Sequence, residues 1–243
     1  MKITYIGHSG FSVELPEAIF IFDYYQGTIP QFTGAKPIYI FVSHKHHDHF
    51  NTDIFALADQ YPDVTYLLSS DTRMNEKYME RRNIPVKARE HILYIGKNAV
   101  QVLKGPGEAS LTVETLTSTD EGVAFLVSAG DRCIYHAGDL NWWSWEGESD
   151  EDERRMEENF KREMKKLEGR HFDAAFLPLD PRQEERFFWG FDVFMRTADA
   201  GKAFPMHFWG DYSVIPKLLS LECSEPYRER VEEITREGET FQV

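Results

Sequence analysis

Residues 44–49 read His-Lys-His-His-Asp-His, and they follow at once on Ile38–Val42, a run with no strongly polar side chain. A run that does not alternate reads as a strand buried on both faces. Four imidazoles and a carboxylate at the end of such a strand constrain the chain more than any other feature. Neighbours 48 and 49 would leave a straight strand on opposite sides, so positions 44, 46, 48 and 49 can share a cavity only if the segment after Val42 turns tightly. Converged, they form a nitrogen and oxygen donor set suited to divalent zinc, iron or manganese. The plain alternative is a surface histidine cluster, which the buried strand immediately before it argues against.

Around this motif the pattern is of short strands, then helices, then strands and helices again. Strands are expected at residues 2–6, 11–15, 19–22 and 38–42, and again at 64–68, with helices at 53–60 and 71–82. A run of strands follows at 92–95, 99–103, 111–116, 123–128 and 133–136, separated by turn residues such as Gly96-Lys97-Asn98, Gly105-Pro106-Gly107 and Gly130-Asp131. Residues 151–167 carry Met156, Phe160, Met164 and Leu167 at helical spacing, expected to pack on the core. The acidic stretch 146–153 before them suits the start of a helix, where carboxylates meet the positive end of the dipole. A strand at 172–178, a helix at 184–198, a strand at 202–206 and a helix at 214–221 complete an α/β chain of two layered sheets.

Composition narrows the function. The formal net charge is −14, and the longest basic runs are pairs such as Arg81-Arg82 and Lys165-Lys166. Nucleic acid is therefore a disfavoured substrate, since Lys and Arg neutralising phosphates supply most non-specific affinity. Cys133 and Cys223 are too few for a disulfide framework and wrongly spaced for a thiolate metal site. No stretch has the eighteen or so apolar residues of a membrane span, and the cytoplasm is the expected setting.

At the end of its strand, His44-x-His46-x-Asp48-His49 resembles the signature of the metallo-β-lactamase-fold hydrolases. Two later segments match the same family. Ile134-Tyr135-His136-Ala137-Gly138-Asp139 resembles the strand whose terminal Asp bridges two metals, and Pro205-Met206-His207-Phe208 the late strand that delivers a last His. The segment Tyr5-Ile6-Gly7-His8-Ser9-Gly10-Phe11 and the strand end Phe22-Asp23 resemble the branch that includes L-ascorbate-6-phosphate lactonase. The likeness spans residues 1 to about 215. It implies a four-layer αββα sandwich, a single domain over residues 1–243 with a helical insertion at about 142–170. It also implies one or two zinc ions, or manganese or iron, with His44 and His46 serving the first metal, Asp48, His49 and His207 the second, and Asp139 both. His47 is not implied as a ligand.

One departure stands out. The family supplies a third His to the first metal from a loop that here reads Thr117-Ser118-Thr119-Asp120-Glu121-Gly122, with no His. Asp120 is the candidate oxygen ligand in its place; a solvated turn carboxylate is the alternative. Further candidates for substrate contact are His8, which is also a candidate proton donor, and Trp142, followed by Trp143 and Trp145. Asp180 and Arg182 complete the set, Arg182 as an anion contact or as an ion pair with Asp180. His136 is expected in the core or behind the ligands.

These readings lead to a metal-dependent hydrolase, with Asp48 as its catalytic carboxylate, acting on a small, anionic ester, lactone or phosphoester. Two other classes stay open: a degenerate metal-binding protein with a sensing or scaffold role, and a nucleotide or nucleic-acid phosphodiesterase. Fold resemblance does not choose a substrate.

Overall fold

The computed structural model describes residues 1–105 and 110–243; the turn expected at Gly105-Pro106-Gly107 falls largely outside them. The strands are β1 (Lys2–Gly7), β2 (Gly10–Glu14), β3 (Ile19–Phe22), β4 (Ile38–Val42), β5 (Val64–Ser69), β6 (Ile92–Ile95), β7 (Val100–Lys104), β8 (Ser110–Thr117), β9 (Val123–Ala129), β10 (Arg132–His136), β11 (His171–Pro178), β12 (Asp199–Met206) and β13 (Thr240–Gln242). The α-helices are α1 (Leu57–Gln60), α2 (Glu76–Arg81), α3 (Val86–Arg89), α4 (Asp150–Met164), α5 (Trp189–Thr197) and α6 (Val214–Ser220).

Two sheets form, ordered β13-β1-β2-β3-β4-β5-β6 and β12-β11-β10-β9-β8-β7. Within the first, β3 to β6 run parallel; within the second, β10 to β12 do. Side-chain alternation sets the layers. From β3 and β4, Phe20, Phe22, Tyr39 and Phe41 join a core shared with Phe125, Val127 and Phe176 of the second sheet. Their neighbours Ile19, Ile21, Ile38, Ile40 and Val42 face the other way, onto Ile54, Leu57, Met79 and Ala88. On the far side of the second sheet, Phe160, Met164, Phe191 and Phe194 of α4 and α5 pack against the same core as Tyr135 and Phe172. The result is the expected αββα sandwich. Fully burying each such aromatic is worth about 1.5–3 kcal/mol.

Several helices differ in extent from the sequence reading, and local capping explains it. The helix expected over 53–60 is a 3₁₀ turn, Thr52–Ala56, leading into α1; the Asn51 side chain caps it by accepting from Asp53 N. Asn75 caps α2 by accepting from Tyr78 N at 2.9 Å, so residues 70–74 stay outside that helix. The helix expected over 184–198 starts only at Trp189, because Asp180 and Pro181 nucleate a separate 3₁₀ segment broken at Glu184, whose φ is 56°. Both α3 and β13 went unanticipated: the first is one turn long, and the second is a three-residue pairing with β1. For α4, Ser149 is the cap and Asp150, Glu151, Asp152 and Glu153 fill the first turn, as the acidic stretch implied.

This topology gathers the chemistry at one edge. The loops after β3, β4, β10, β11 and β12 leave the carboxyl ends of parallel strands, where ligand sites of open α/β sheets form. They carry Asp23, His44–His49, Asp139, Asp180 and His207 respectively.

Candidate metal centre

After Val42 the chain turns sharply, with the amides of His49 and Phe50 both bonded to the carbonyl of His46. That turn brings residues 44, 46, 48 and 49 close together, where Asp139 and His207 meet them. Asp139 is central. Its Oδ2 lies 3.3 Å from His44 Nε2, while its Oδ1 lies 3.1 Å from His49 Nε2 and 3.4 Å from His207 Nε2. Asp48 Oδ2 is 4.0 Å from His49 Nε2 and 3.9 Å from His207 Nε2. Among the described residues the donor atoms fall into three groups: His44, His46 and Asp139; His8, Asp48, His49 and His207; and Asp23 with His44 and His49.

The backbone here is strained. His8, Asp23, His207 and Trp209 all adopt positive φ, at 53°, 41°, 64° and 53°. Non-glycine residues hold such angles only where their surroundings over-determine them, and functional sites concentrate that strain. Gly122 and Gly138 are required for a second reason. A Cβ on Gly122 would lie 2.0 Å from Ser43 O, and one on Gly138 would lie 2.6 Å from Ser43 Cβ. The loop that lacks the third His is therefore pressed directly on the His44 strand end.

Behind the cavity three of the imidazoles, those of His44, His49 and His207, are held by acceptors. Asp23, fully buried, accepts from Ser43 N at 2.7 Å, from Ser43 Oγ at 2.6 Å and from His49 Nδ1 at 2.8 Å. With its proton given to Asp23, Ser43 Oγ is free to accept from His44 Nδ1 at 2.9 Å. Asp180 accepts from His207 Nδ1 at 3.0 Å. All three rings thus carry a proton on Nδ1 and turn Nε2 to the cavity, the arrangement by which outer partners orient metal-binding histidines. Sequence reasoning placed Asp23 only at a strand end; its position at the close of an apolar parallel strand beside β4 was the available signal.

Among the side chains of the site the charges compensate one another. Burial alone would raise the pKa of Asp139, yet His49 and His207 hold it well below the carboxylate range. Burial would lower His49, but the carboxylates of Asp139 and Asp23 raise it well above the usual imidazole value. Asp48 is depressed as well, because His8 and His49 outweigh its burial. His8 is pushed down to about 4, chiefly by desolvation and only partly opposed by Asp48.

A cavity of about 300 Å³ opens on this cluster, lined by His46, Asp48, Asp139 and His207 together with Asp120, Arg182, Trp143, Trp145 and Trp209. Asp120 Oδ2 is 3.8 Å from His46 Nδ1, beside the first donor group but not one of its members. Arg182 makes the ion pair with Asp180 that the sequence left open, and it also lines the cavity. It forks onto Asp180 through Nε and Nη2, and it lies 4.8 Å from the Trp209 ring and 5.7 Å from that of Trp145. Trp142 faces away from the cavity, packing 5.1 Å from Trp189 with Lys161 over its ring. Met156, expected in the core with the rest of its helical stripe, reaches the cavity instead. His47 is largely exposed and touches Tyr25 edge-on. His136 is buried behind the cavity, with Nε2 on Ser9 O at 2.9 Å and Nδ1 accepting from Gly138 N at 3.1 Å.

The donor set fits divalent ions. Two atoms each about 2.1 Å from one ion stand roughly 3.0–3.4 Å apart at ordinary coordination angles, and the contacts around Asp139 span 3.1–3.4 Å. Despite that closeness, His44 Nε2, His49 Nε2 and Asp139 Oδ1 are buried with no hydrogen-bond partner among the described residues. Buried polar atoms of this kind call for an explanation, and a shared ion between them supplies one.

Comparison with known proteins agrees with this fold. Residues 2–150 match the model of a beta-lactamase superfamily domain. A UPF0173 metal-dependent hydrolase of Desulforamulus reducens is 29% identical over 153 residues, covering 57% of this chain; the chain thus spans 62% of that relative's length. Among solved structures, Igni18, a metallo hydrolase of Ignicoccus hospitalis, superposes with a TM-score of 0.60 at 18% identity, covering 100% of this chain and 98% of that one. CmlA, a diiron β-hydroxylase of Streptomyces venezuelae, gives a TM-score of 0.53 at 13% identity, covering 85% of this chain and 44% of its own. At such identities the structural likeness is one of fold.

Proposed function

Because this chain belongs to the metallo-β-lactamase-fold superfamily, we propose that it is a metal-dependent hydrolase of small, anionic esters, lactones or phosphoesters. The observation that carries the reading is Asp139, whose two oxygens face His44 on one side and His49 with His207 on the other. His44, His46 and Asp139 would hold one ion; Asp48, His49, His207 and Asp139 would hold the second. Zinc is the proposed metal, since imidazole and carboxylate donors suit it; they suit iron as well. When bound, such ions activate water and polarise a carbonyl or phosphoryl oxygen.

The remaining chemistry belongs to the chain. Asp48 faces the cavity as an ionised carboxylate, placed to accept a hydrogen bond from the attacking water. Its depressed pKa keeps it ionised, which suits it to orient that water rather than to take its proton. Arg182 offers positive charge at the rim for an anionic group, and Trp143, Trp145 and Trp209 line the wall around it. His8, neutral near pH 7, is a poor charged acid. A cytoplasmic setting is part of the proposal: both cysteines are free, and no helix among the described residues is long and apolar enough to cross a membrane.

The second reading, a metal-binding protein with little catalysis, draws on Asp120, a half-exposed carboxylate where the family has a His. One experiment separates them. Chelator-stripped protein reloaded with zinc should hydrolyse aryl esters, simple lactones or bis-aryl phosphates, and the stripped form should not. Tight metal uptake without turnover of any of these would favour the second reading; no uptake would remove both.

A further inference from the structure

We propose that His8 is a protein ligand of the second metal position, additional to Asp48, His49, His207 and Asp139; the inference rests on the centre being metal-binding. Its Nε2 is buried without a hydrogen-bond partner among the described residues. That atom lies 3.4 Å from Asp48 Oδ2, the spacing found around Asp139, and it groups within 4.8 Å of the donor atoms of Asp48, His49 and His207.

Two alternative roles fit less well. A core histidine satisfies both ring nitrogens locally, and His136 does so through Ser9 O and Gly138 N. His8 leaves Nε2 unmet in a cluster of donors. A substrate-contacting histidine would line the cavity, whereas the His8 side chain is 3% exposed and absent from its wall. His207 and Trp209 cover it, each with its ring centroid 4.4 Å away. His8 is closed to substrate and open to the ion position.

The backbone is arranged to hold it there. His8 sits at φ 53°, in a turn flanked by Gly7 and Gly10, and its carbonyl accepts from His207 N at 3.2 Å. His207 is itself left-handed, at φ 64°. One hydrogen bond therefore ties two strained residues together. With His8 counted, the second position has four grouped donors, His8, Asp48, His49 and His207, beside Asp139, and the first has three, so the missing third His weakens only the first.

The test uses cobalt(II) as the probe, added to chelator-stripped protein, with proton NMR reading the far-shifted, solvent-exchangeable ring N–H signals of ligating histidines. The first equivalent should give three such signals in the wild-type protein, from His8, His49 and His207. His8→Asn, chosen because Asn tolerates a left-handed backbone, should give two. It should also bind that equivalent at least about tenfold more weakly, the loss seen when even an outer ligand partner is removed. Two signals in the wild type, or unchanged count and affinity in the variant, would overturn the assignment while leaving the metal centre intact. No cobalt uptake by the wild type would overturn both. The wild-type count decides the matter alone should His8→Asn fail to fold.

Discussion

Asp180 accepts from His207 Nδ1 at 3.0 Å while the guanidinium of Arg182 forks onto the same carboxylate. Burial would raise the pKa of Asp180, but His207 and Arg182 together hold it below its ordinary range. Charge at the rim of the cavity is thereby tied to the orientation of an imidazole inside it. Asp180→Asn keeps the shape and loses the charge, so metal affinity should fall about 10–100-fold, measured by competition with a chromophoric chelator. Unchanged affinity would mean that His207 is aimed by packing alone.

Arg182 follows from the same link. As an anion contact alone, Arg182→Ala would weaken anionic substrates and leave neutral esters nearly untouched. The fork onto Asp180 alters that expectation. Anionic substrates should lose about 1.5–3 kcal/mol in kcat/KM, the worth of a charge-assisted hydrogen bond. Neutral esters should lose a smaller amount, because Asp180 no longer grips His207 as firmly. Equal losses for both substrate types would reduce Arg182 to a positioning role.

The layering was legible in the sequence because Ile38–Val42 and its neighbours carry apolar side chains on both faces, which only a doubly covered sheet accommodates. The cluster at 44–49 was legible because its residue types have few other uses in such a place. Asp23 was not, since a lone carboxylate after a strand looks like any turn residue until β3 is paired with β4. The direction of Trp142 was equally hidden. In an irregular segment nothing periodic separates it from Trp143, whose ring donates to Asp139 O at 2.9 Å. Met156 misled for the opposite reason: its helical period is real, but the stripe runs past the edge of the core into the cavity.

The loop without a histidine gives a third prediction. Gly122→Ala would place a methyl 2.0 Å from Ser43 O and 2.5 Å from His44 Cβ, at φ +66°. Overpacking and a left-handed backbone together should cost about 2–4 kcal/mol in urea unfolding. Occupancy of the first metal position should suffer more than that of the second. Gly130→Ala is the control: its φ is +59° but nothing lies within 4 Å, so about 1 kcal/mol is expected. Similar costs at the two glycines would mean that the loop does not press on His44.

The last prediction concerns acid stability and His136. Its ring is fully buried, stacked at 5.1 Å on Phe22, and both nitrogens are committed in the neutral form. Desolvation lowers its pKa below the usual value, and Asp23 only partly opposes this. In the unfolded chain the imidazole titrates near 6.5. Below that pH the unfolded state therefore binds a proton that the folded state refuses, and stability must fall as pH falls. The slope for one such group reaches about 1.4 kcal/mol per pH unit at most. Above about pH 7.5 both states are neutral and the contribution vanishes. His136→Gln removes the titration while keeping an amide to reach Ser9 O. The metal-free variant, less stable at pH 8 for its poorer packing, should lose stability more slowly than the metal-free parent between pH 6.5 and 5. Urea unfolding of the two proteins across that window measures the difference directly, because every other titrating group is common to both. Parallel curves would show that His136 is not held neutral in the folded protein.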